Sequence, residues 1–173
     1  MTPSQVPRPT PDELADRLRG HFPDVLVARG EVTMVNQVDE VLASLAFVRD
    51  RESLAFTFLS DVAATDWPGR DPRFWVAYHL YSPGLGARLR VKVGLPQGEP
   101  HVPSVTGLFP TADWFEREVF DFFGVVFDGH PDLRRIEMPD EWEGYPLRKD
   151  HPLAGVPTQY RGAFIPPPDE RGA

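Results

Sequence analysis

Three carboxylates stand close together in the C-terminal half of the sequence, at Glu116, Glu118 and Asp121. Carboxylates at one site can act as a general acid and a general base. However, all three fall on one predicted helix, where Arg117 can form i,i+4 ion pairs with Asp113 and Asp121. We therefore interpret them as a salt-bridged, exposed helix face. Glu118 lies nearer the apolar boundary, where a carboxylate needs an arginine or backbone partner.

Two histidines stand beside acidic residues and could bind a metal ion with them. His130 lies two residues before Asp132 in Gly-His-Pro-Asp, and His151 follows Asp150 in Asp-His-Pro. Both segments are typical of turns, in which an imidazole commonly bonds to the backbone, and we expect that role here. Cysteine is absent from the 173 residues, which excludes disulfides, thiolate zinc sites and cysteine-ligated iron–sulfur clusters.

The composition and the absence of several motifs argue against further classes of function. A net charge of −8 makes a general nucleic-acid binder a poor hypothesis, because phosphate binding needs a basic field. The sequence has no glycine-rich phosphate loop, dinucleotide fingerprint or nucleophile elbow. No signal peptide is recognisable, and no apolar stretch approaches the roughly 18–20 residues that span a bilayer. We expect a soluble, cytoplasmic protein.

The elements that position these residues follow a proline-rich lead-in, residues 1–10. Thr10, Pro11 and Glu13 form a helix start with a capping box. The aromatic strand at 74–81 is expected to be central and covered on both faces. The predicted helices begin at Pro11, Asp39 and Thr111 and end at Gly20, Asp50 and Gly124, with Thr111 as an N-cap. The predicted strands span 25–28, 32–35, 54–60, 74–81 and 88–93, and Arg29-Gly30-Glu31 joins the first two as a hairpin.

One strand carries a basic row, Arg88, Arg90 and Lys92, which alternates with apolar residues. This row is either a solvated face that discourages aggregation or a docking stripe for an acidic partner. The spacing alone does not separate these two interpretations.

The element order α-β-β-α-β-β-β-α predicts an α+β two-layer sandwich, with a mixed sheet of about five strands and helices on one face. We place this domain at residues 11–124. Residues 125–173 show no amphipathic helix and little alternation, yet they are too apolar for a disordered linker and too long for an ordinary loop. We interpret them as an extended arm that docks on a partner, rather than on its own domain, and that is mobile in the free chain.

The stretch EREVFDFFGVVFDGHPDLRRI, residues 116–136, resembles the signature of the C subunit of NADH-quinone oxidoreductase, respiratory complex I. A second block, residues 144–153, and the segment FLSDVAATDW, residues 58–67, are also similar to that family. The resemblance covers residues from about 10 to 160 in order. The matching residues, expected to lie at interfaces within the complex, are Glu116, Arg117, Glu118, Asp121, Gly124, Gly129, His130, Pro131, Asp132, Arg134, Ile136, Pro146, Arg148, Lys149 and Asp150.

The resemblance implies a structural subunit of the peripheral arm, without catalytic or metal-ligating residues and without a cofactor of its own. FMN and iron–sulfur clusters would reside in partner proteins of complex I, which pass electrons from NADH to quinone and translocate protons. The chain would form a hetero-oligomer, docking on the D subunit, which forms the quinone site, and near the B subunit. It would lie peripherally on the cytoplasmic side of the cell membrane, without a membrane-spanning segment and without a nucleic-acid partner.

Two alternatives stay open. The first is the equivalent subunit of a membrane-bound nickel–iron hydrogenase, a formate hydrogenlyase or a ferredoxin-dependent relative of complex I. The second, more distant alternative is a freestanding enzyme that uses the carboxylates Glu116, Glu118 and Asp121.

Overall fold

Three helices pack on one face of a mixed five-stranded sheet. The structure, a computed structural model, describes residues 8–152 and the backbone of residues 159–160 and 163–164. The helices are α1 (Pro11–Arg19), α2 (Val41–Asp50) and α3 (Ala112–Phe123). The strands of the sheet are β1 (Val25–Ala28), β2 (Glu31–Asn36), β3 (Phe58–Asp66), β4 (Phe74–Ser82) and β5 (Ala87–Leu95). Two shorter pairs join β6 (His101–Pro103) to β7 (Val126–Asp128) and β8 (Gln159–Tyr160) to β9 (Ala163–Phe164).

Local sequence signals account for the first elements. The Thr10 side chain accepts a hydrogen bond from the Glu13 backbone N–H, and the Glu13 carboxylate accepts one from the Thr10 N–H, so the predicted capping box is present. Arg29 and Gly30 both have positive φ, at 53° and 78°. They form the two-residue hairpin between β1 and β2, because this conformation matches the twist of the two strands.

The sheet has the order β1-β2-β5-β4-β3. The pair β2–β5 is parallel and the other pairs are antiparallel, which confirms the predicted mixed sheet of five strands. Apolar side chains from one face of this sheet meet those of α1, α2 and α3 in a single core.

The expectation that the aromatic strand β4 is covered on both faces is wrong. Its alternate residues, from Phe74 to Ser82, are buried, but the residues between them are only partly buried. The central strand is β5, and the helices cover one face of the sheet. The partly covered face is bulky and aromatic enough to hide the alternation that marks a one-sided strand.

The strand predicted at residues 54–60 lies later, at 58–66. Leu54 and Phe56 are buried, but they belong to an irregular connection after α2, in which Ala55 has a φ of 44°. The four short strands β6 to β9 were not predicted, since two or three residues are too few to show an alternating pattern.

The domain boundary predicted after Gly124 is wrong, because the hydrophobic core includes residues beyond it. Gly124 does end α3, in the left-handed conformation expected of a helix C-cap, with φ at 67°. However, Val125 and Phe127 are 0 % and 2 % exposed and belong to the domain core, because β7 pairs with β6. At the other end, Pro9 of the predicted lead-in is also buried. The described part of the predicted arm, up to residue 152, is bonded to α3 and β3 of its own domain, so the expectation that it docks on a partner rather than on its own domain is wrong for this part. Residues 1–7, and the arm prediction beyond residue 152 apart from the two short strands, lie outside the described residues.

Thr111 stands at the N-cap position of α3, but its side chain makes no capping hydrogen bond. Among the described residues, no helix has both the length and the apolar character needed to cross a membrane.

Candidate interface built on helix α3

Glu116, the first residue of the signature, lies inside the protein and not on an exposed helix face. It is 0 % exposed, and its carboxylate accepts hydrogen bonds from the Ser104 hydroxyl and the Val105 backbone N–H, each at 2.7 Å. Burial raises the pKa of Glu116, and the two hydrogen bonds offset part of that rise. Glu116 thereby ties α3 to the connection that follows β6.

The raised pKa of Glu116 predicts a pH-dependent contribution to stability. The folded state holds this proton more tightly than the unfolded state does, so stability falls as the pH rises from about 4.5, the usual value for Glu, through the folded pKa. Glu116→Gln keeps an acceptor for Val105 and removes the ionisation. We expect urea unfolding of this variant to lose that part of the pH dependence, measured from pH 4 to pH 8. If the free energy of unfolding depends on pH equally in the variant and in the unmodified chain, the raised pKa of Glu116 is contradicted.

Arg117 is also buried, at 7 % exposed, and does not form the predicted i,i+4 pairs. Its guanidinium donates to the backbone carbonyls of Arg134 and Arg135, at 3.2 and 3.4 Å, and lies 5.1 Å from the ring centre of Trp114. The chain returns along α3 after β7 and presents these carbonyls, which is a non-local arrangement that helical spacing does not reveal.

Asp121 is the most heavily bonded of the three carboxylates. It is 0 % exposed, and its Oδ2 atom accepts hydrogen bonds from the backbone N–H groups of Ile136, Glu137 and Met138, at 3.1, 2.8 and 2.9 Å. Its Oδ1 atom pairs with Arg135 at 2.6 Å. Burial acts to raise the pKa of Asp121, but these hydrogen bonds outweigh it and lower the pKa. One side chain of α3 thus orders four consecutive residues of the returning segment.

The arginine that pairs with Asp121 is Arg135, and not the signature residue Arg134. Arg134 has an exposed side chain that pairs with the exposed Asp132 at 2.9 Å. Arg135 also donates to the Gly144 carbonyl at 2.9 Å. Two adjacent arginines point in different directions along an extended chain, so the sequence could not decide which one meets Asp121.

His130 has the backbone-bonding role predicted from its turn. Its Nδ1 atom accepts from the Asp132 N–H at 3.0 Å, so Nε2 carries the proton and donates to the Asp113 carbonyl at 3.2 Å. The neighbouring Gly129 and Pro131 are exposed. Within residues 8–152, no group of His, Asp and Glu side chains is arranged to hold a metal ion.

The second block reaches α3 through Arg148. Its Nε atom donates to the Phe123 carbonyl at 2.5 Å, and its guanidinium lies over the rings of Tyr145 and Phe74, at 4.5 and 4.9 Å from their centres. Gly124 makes this approach possible, because a Cβ atom there would clash with the Tyr145 ring and the Arg148 guanidinium.

A buried ion pair that the sequence reasoning missed fixes the end of the second block. Arg73 donates two hydrogen bonds to Asp66, at 2.7 and 2.8 Å, and a third to Asp150 at 2.9 Å. Asp66 also accepts from the Lys149 N–H at 2.8 Å. The hydrogen bonds from Arg73 are the main reason why the pKa of Asp66 is lowered. Asp66 ends β3, and Arg73 directly precedes β4. An acid and a base on the two sides of one turn are the sequence signal from which this ion pair could have been predicted.

Glu118 is the one exposed carboxylate of the three, which corrects the expectation of a buried partner for it. It lies at a groove between β3 and α3 that is also lined by Phe122 and by Leu147, which is 48 % exposed. The half-buried Pro146 precedes Leu147. Glu116 and Asp121 bond to different segments while Glu118 faces outward, so the three carboxylates do not converge on one site. The hypothesis of a freestanding carboxylate enzyme therefore loses its geometric basis.

The fold agrees with the comparisons to known proteins. Residues 34–157 match the family described as the respiratory-chain NADH dehydrogenase 30 kDa subunit. The chain belongs to this family, whose curated members are named as C subunits of NADH-quinone oxidoreductase.

Individual relatives cover most of the chain. The C subunit of the NADH-quinone oxidoreductase from Salinispora arenicola is 46 % identical over 92 % of this chain and 69 % of its own length. That from Mycobacterium tuberculosis is 43 % identical over 99 % of this chain and 79 % of its own length. These matches confirm the resemblance drawn from the signature residues.

Two solved structures share the fold. A trypsin-resistant fragment of Nqo5 is 33 % identical with a TM-score of 0.61, over 70 % of this chain and 98 % of the fragment. A chain of the membrane-bound sulfane sulfur reductase, an archaeal respiratory membrane complex, is 27 % identical with a TM-score of 0.72, over 83 % of this chain and 86 % of its own length.

Proposed function

We propose that this chain is a cofactor-free structural subunit in the peripheral arm of a proton-translocating NADH:quinone oxidoreductase. Its partners pass electrons from NADH through FMN and iron–sulfur clusters to quinone, on the cytoplasmic side of the cell membrane. The observation that carries the proposal is the 46 % identity with a family member from NADH-quinone oxidoreductase over 92 % of the chain. A sequence without cysteine offers no thiolate for a cluster, which supports the cofactor-free role.

Within the complex, the chain docks on the D subunit, which forms the quinone site, and near the B subunit through the segment that α3 organises. The signature residues Arg117 and Asp121 hold this segment from inside, and so act on the interface indirectly. Glu116 supports α3 itself, through its hydrogen bonds to Ser104 and Val105. Side chains such as Trp114, 62 % exposed, and Leu147, 48 % exposed, remain outward for contact. A segment already ordered in the free chain loses little conformational entropy when it binds, which favours a stable interface.

The test is purification of the tagged chain from detergent-solubilised membranes of its host. We expect the D and B subunits to co-purify, and we expect deletion of the gene to abolish NADH-to-quinone electron transfer until the full chain is restored. The chain purified alone should show no flavin or iron–sulfur absorbance. Stoichiometric iron or flavin in the isolated chain, or recovery of the chain without these two partners, would overturn the proposal.

The likeness to the sulfane sulfur reductase chain favours a second candidate, the equivalent subunit of a related complex such as a nickel–iron hydrogenase or a ferredoxin-dependent relative. The electron donor distinguishes the two. If the membranes oxidise NADH only when this gene is present, the first proposal is supported. Membranes whose gene-dependent activity needs reduced ferredoxin or hydrogen support the second.

A further inference from the structure

No helix packs on the face of the five-stranded sheet opposite α1, α2 and α3 among the described residues, although Pro72 lies against Gly94 at one end of it. Most side chains on this face are partly buried, and Arg88 is exposed. The registers of the strands place two sets of side chains on it, one from β4 and one from β5. The set from β4 is Trp75, Ala77, His79 and Tyr81, and the set from β5 is Arg88, Arg90 and Lys92. Because these strands are neighbours near the middle of the sheet, the aromatic and basic side chains form one continuous patch, which we call the open face.

The residue types of the open face are those of a protein interface rather than of a solvated sheet. A sheet face directed to water is normally polar. Here Trp75 and Tyr81 lie on the same face of β4, the ammonium group of Lys92 lies 4.6 Å from the ring centre of Trp75, and Phe58 at the adjoining edge is 55 % exposed. Tryptophan, tyrosine and arginine are also the residues most enriched where binding energy concentrates in interfaces.

The charge of the open face indicates what kind of partner fits it. The whole chain carries −8, yet the middle of this face carries a row of three cations. Arg90 in the row pairs with Glu31, and Asp61 faces it across the sheet beside His79. Within residues 8–152, Arg88 and Lys92 form no ion pair, and Arg88 is the exposed member of the row.

We infer that the open face is a docking surface for a protein that presents carboxylates to Arg88 and Lys92 around an apolar centre that covers Trp75 and Tyr81. The partner is a further protein of the complex, so the inference rests on the proposed function and names a second contact, on the opposite side of the sheet from α3. A second copy of this chain does not fit, because a two-fold contact would place the basic row of one copy against that of the other.

The lysine content of the chain allows a direct test. Lys92 lies on the open face and Lys149 lies in the segment ordered by α3, and the sequence contains no other lysine. Acetylation with acetic anhydride, quantified by mass spectrometry, is compared between the free chain and the purified complex. We expect Lys92 to be labelled in the free chain and protected in the complex. Equal labelling of Lys92 in an intact complex would overturn the inference.

The same labelling separates this inference from the proposed function. Failure of the D and B subunits to co-purify rejects the proposed function and, with it, the inference that depends on it. A complex that forms with Lys92 still reactive rejects the open-face contact alone. Lys149 reports independently on the segment proposed to contact the quinone-site partner.

Charge reversal tests the chemistry of the contact. We expect Arg88→Glu combined with Lys92→Glu to lower the amount of assembled complex by at least about tenfold, because like charges across an interface are strongly unfavourable. The matched control is Arg17→Glu combined with Arg51→Glu, two exposed arginines on or next to α1 and α2 with the same change in net charge. The control should assemble normally.

Thermal melting of the isolated variants shows whether they fold, and the Lys92 labelling of the unmodified chain decides the inference if the double variant does not. Normal assembly of a folded double variant would contradict the docking surface. A last experiment measures whether the free chain binds to vesicles of anionic lipid. Binding of the free chain to them, lost in the double variant, would identify a membrane surface instead of a protein and would also overturn the inference.

Discussion

Asp121→Ala is expected to lower the free energy of unfolding by about 3 kcal/mol, because removing one member of a buried, hydrogen-bonded charge set leaves the others without partners. The substitution leaves three backbone N–H groups, those of residues 136–138, and the Arg135 guanidinium without their shared acceptor. Urea unfolding of the isolated chain measures the loss. Amide hydrogen exchange should accelerate first at residues 136–138, before the sheet is affected.

The neighbouring exposed carboxylate supplies a matched control. Glu118 lies on the same helix but is exposed, so Glu118→Ala should change stability by no more than about 0.5 kcal/mol. If the two variants were equally stable, Asp121 would not hold the returning segment. If Asp121→Ala is destabilised and also fails to assemble with the D and B subunits, the ordering of the segment is needed for the proposed interface.

Gly124→Ala should destabilise the protein by about 2–5 kcal/mol, which combines the cost of a positive φ for a non-glycine residue with that of overpacking. Gly124 has a φ of 67°, and a Cβ atom would meet the Tyr145 ring and the Arg148 guanidinium. Displacing these side chains breaks the contact of the second block with α3, so we expect a lower melting temperature and faster amide exchange at residues 145–148.

Gly129→Ala isolates the two contributions. Gly129 has a φ of 83°, but nothing lies within 4 Å of the position that its Cβ would take. This variant should lose only the backbone cost, about 1–2 kcal/mol. Equal losses in the two variants would show that the approach of Tyr145 and Arg148 to Gly124 contributes nothing to stability.

The sequence by itself determined those features that depend on neighbouring residues. The capping box of Thr10 and Glu13, the hairpin with its positive φ at Gly30 and the alternation from Arg88 to Val93 are present as predicted, although Glu31 belongs to β2 and not to the turn. Each depends on contacts within a few residues or on a period of two, which the order of residue types displays directly. The resemblance of the signature to one family also required nothing beyond the sequence.

The tertiary structure decided which way the charges of α3 point. Helical spacing paired Arg117 with Asp113 and Asp121, but the actual partners of Arg117 and Asp121 lie more than a dozen residues further along the chain. A charged residue can be buried when backbone groups of a distant segment satisfy it, and no local pattern records that segment.

The same reason explains the misplaced domain boundary. Val125 and Phe127 were assigned to the start of an arm because three residues of β7 show too little alternation to predict a strand. They are core residues because β6, more than twenty positions earlier, provides a parallel neighbour. The sequence determined which segments were apolar or charged, whereas only the folded chain determined what each of them contacts, since those contacts join residues far apart in sequence.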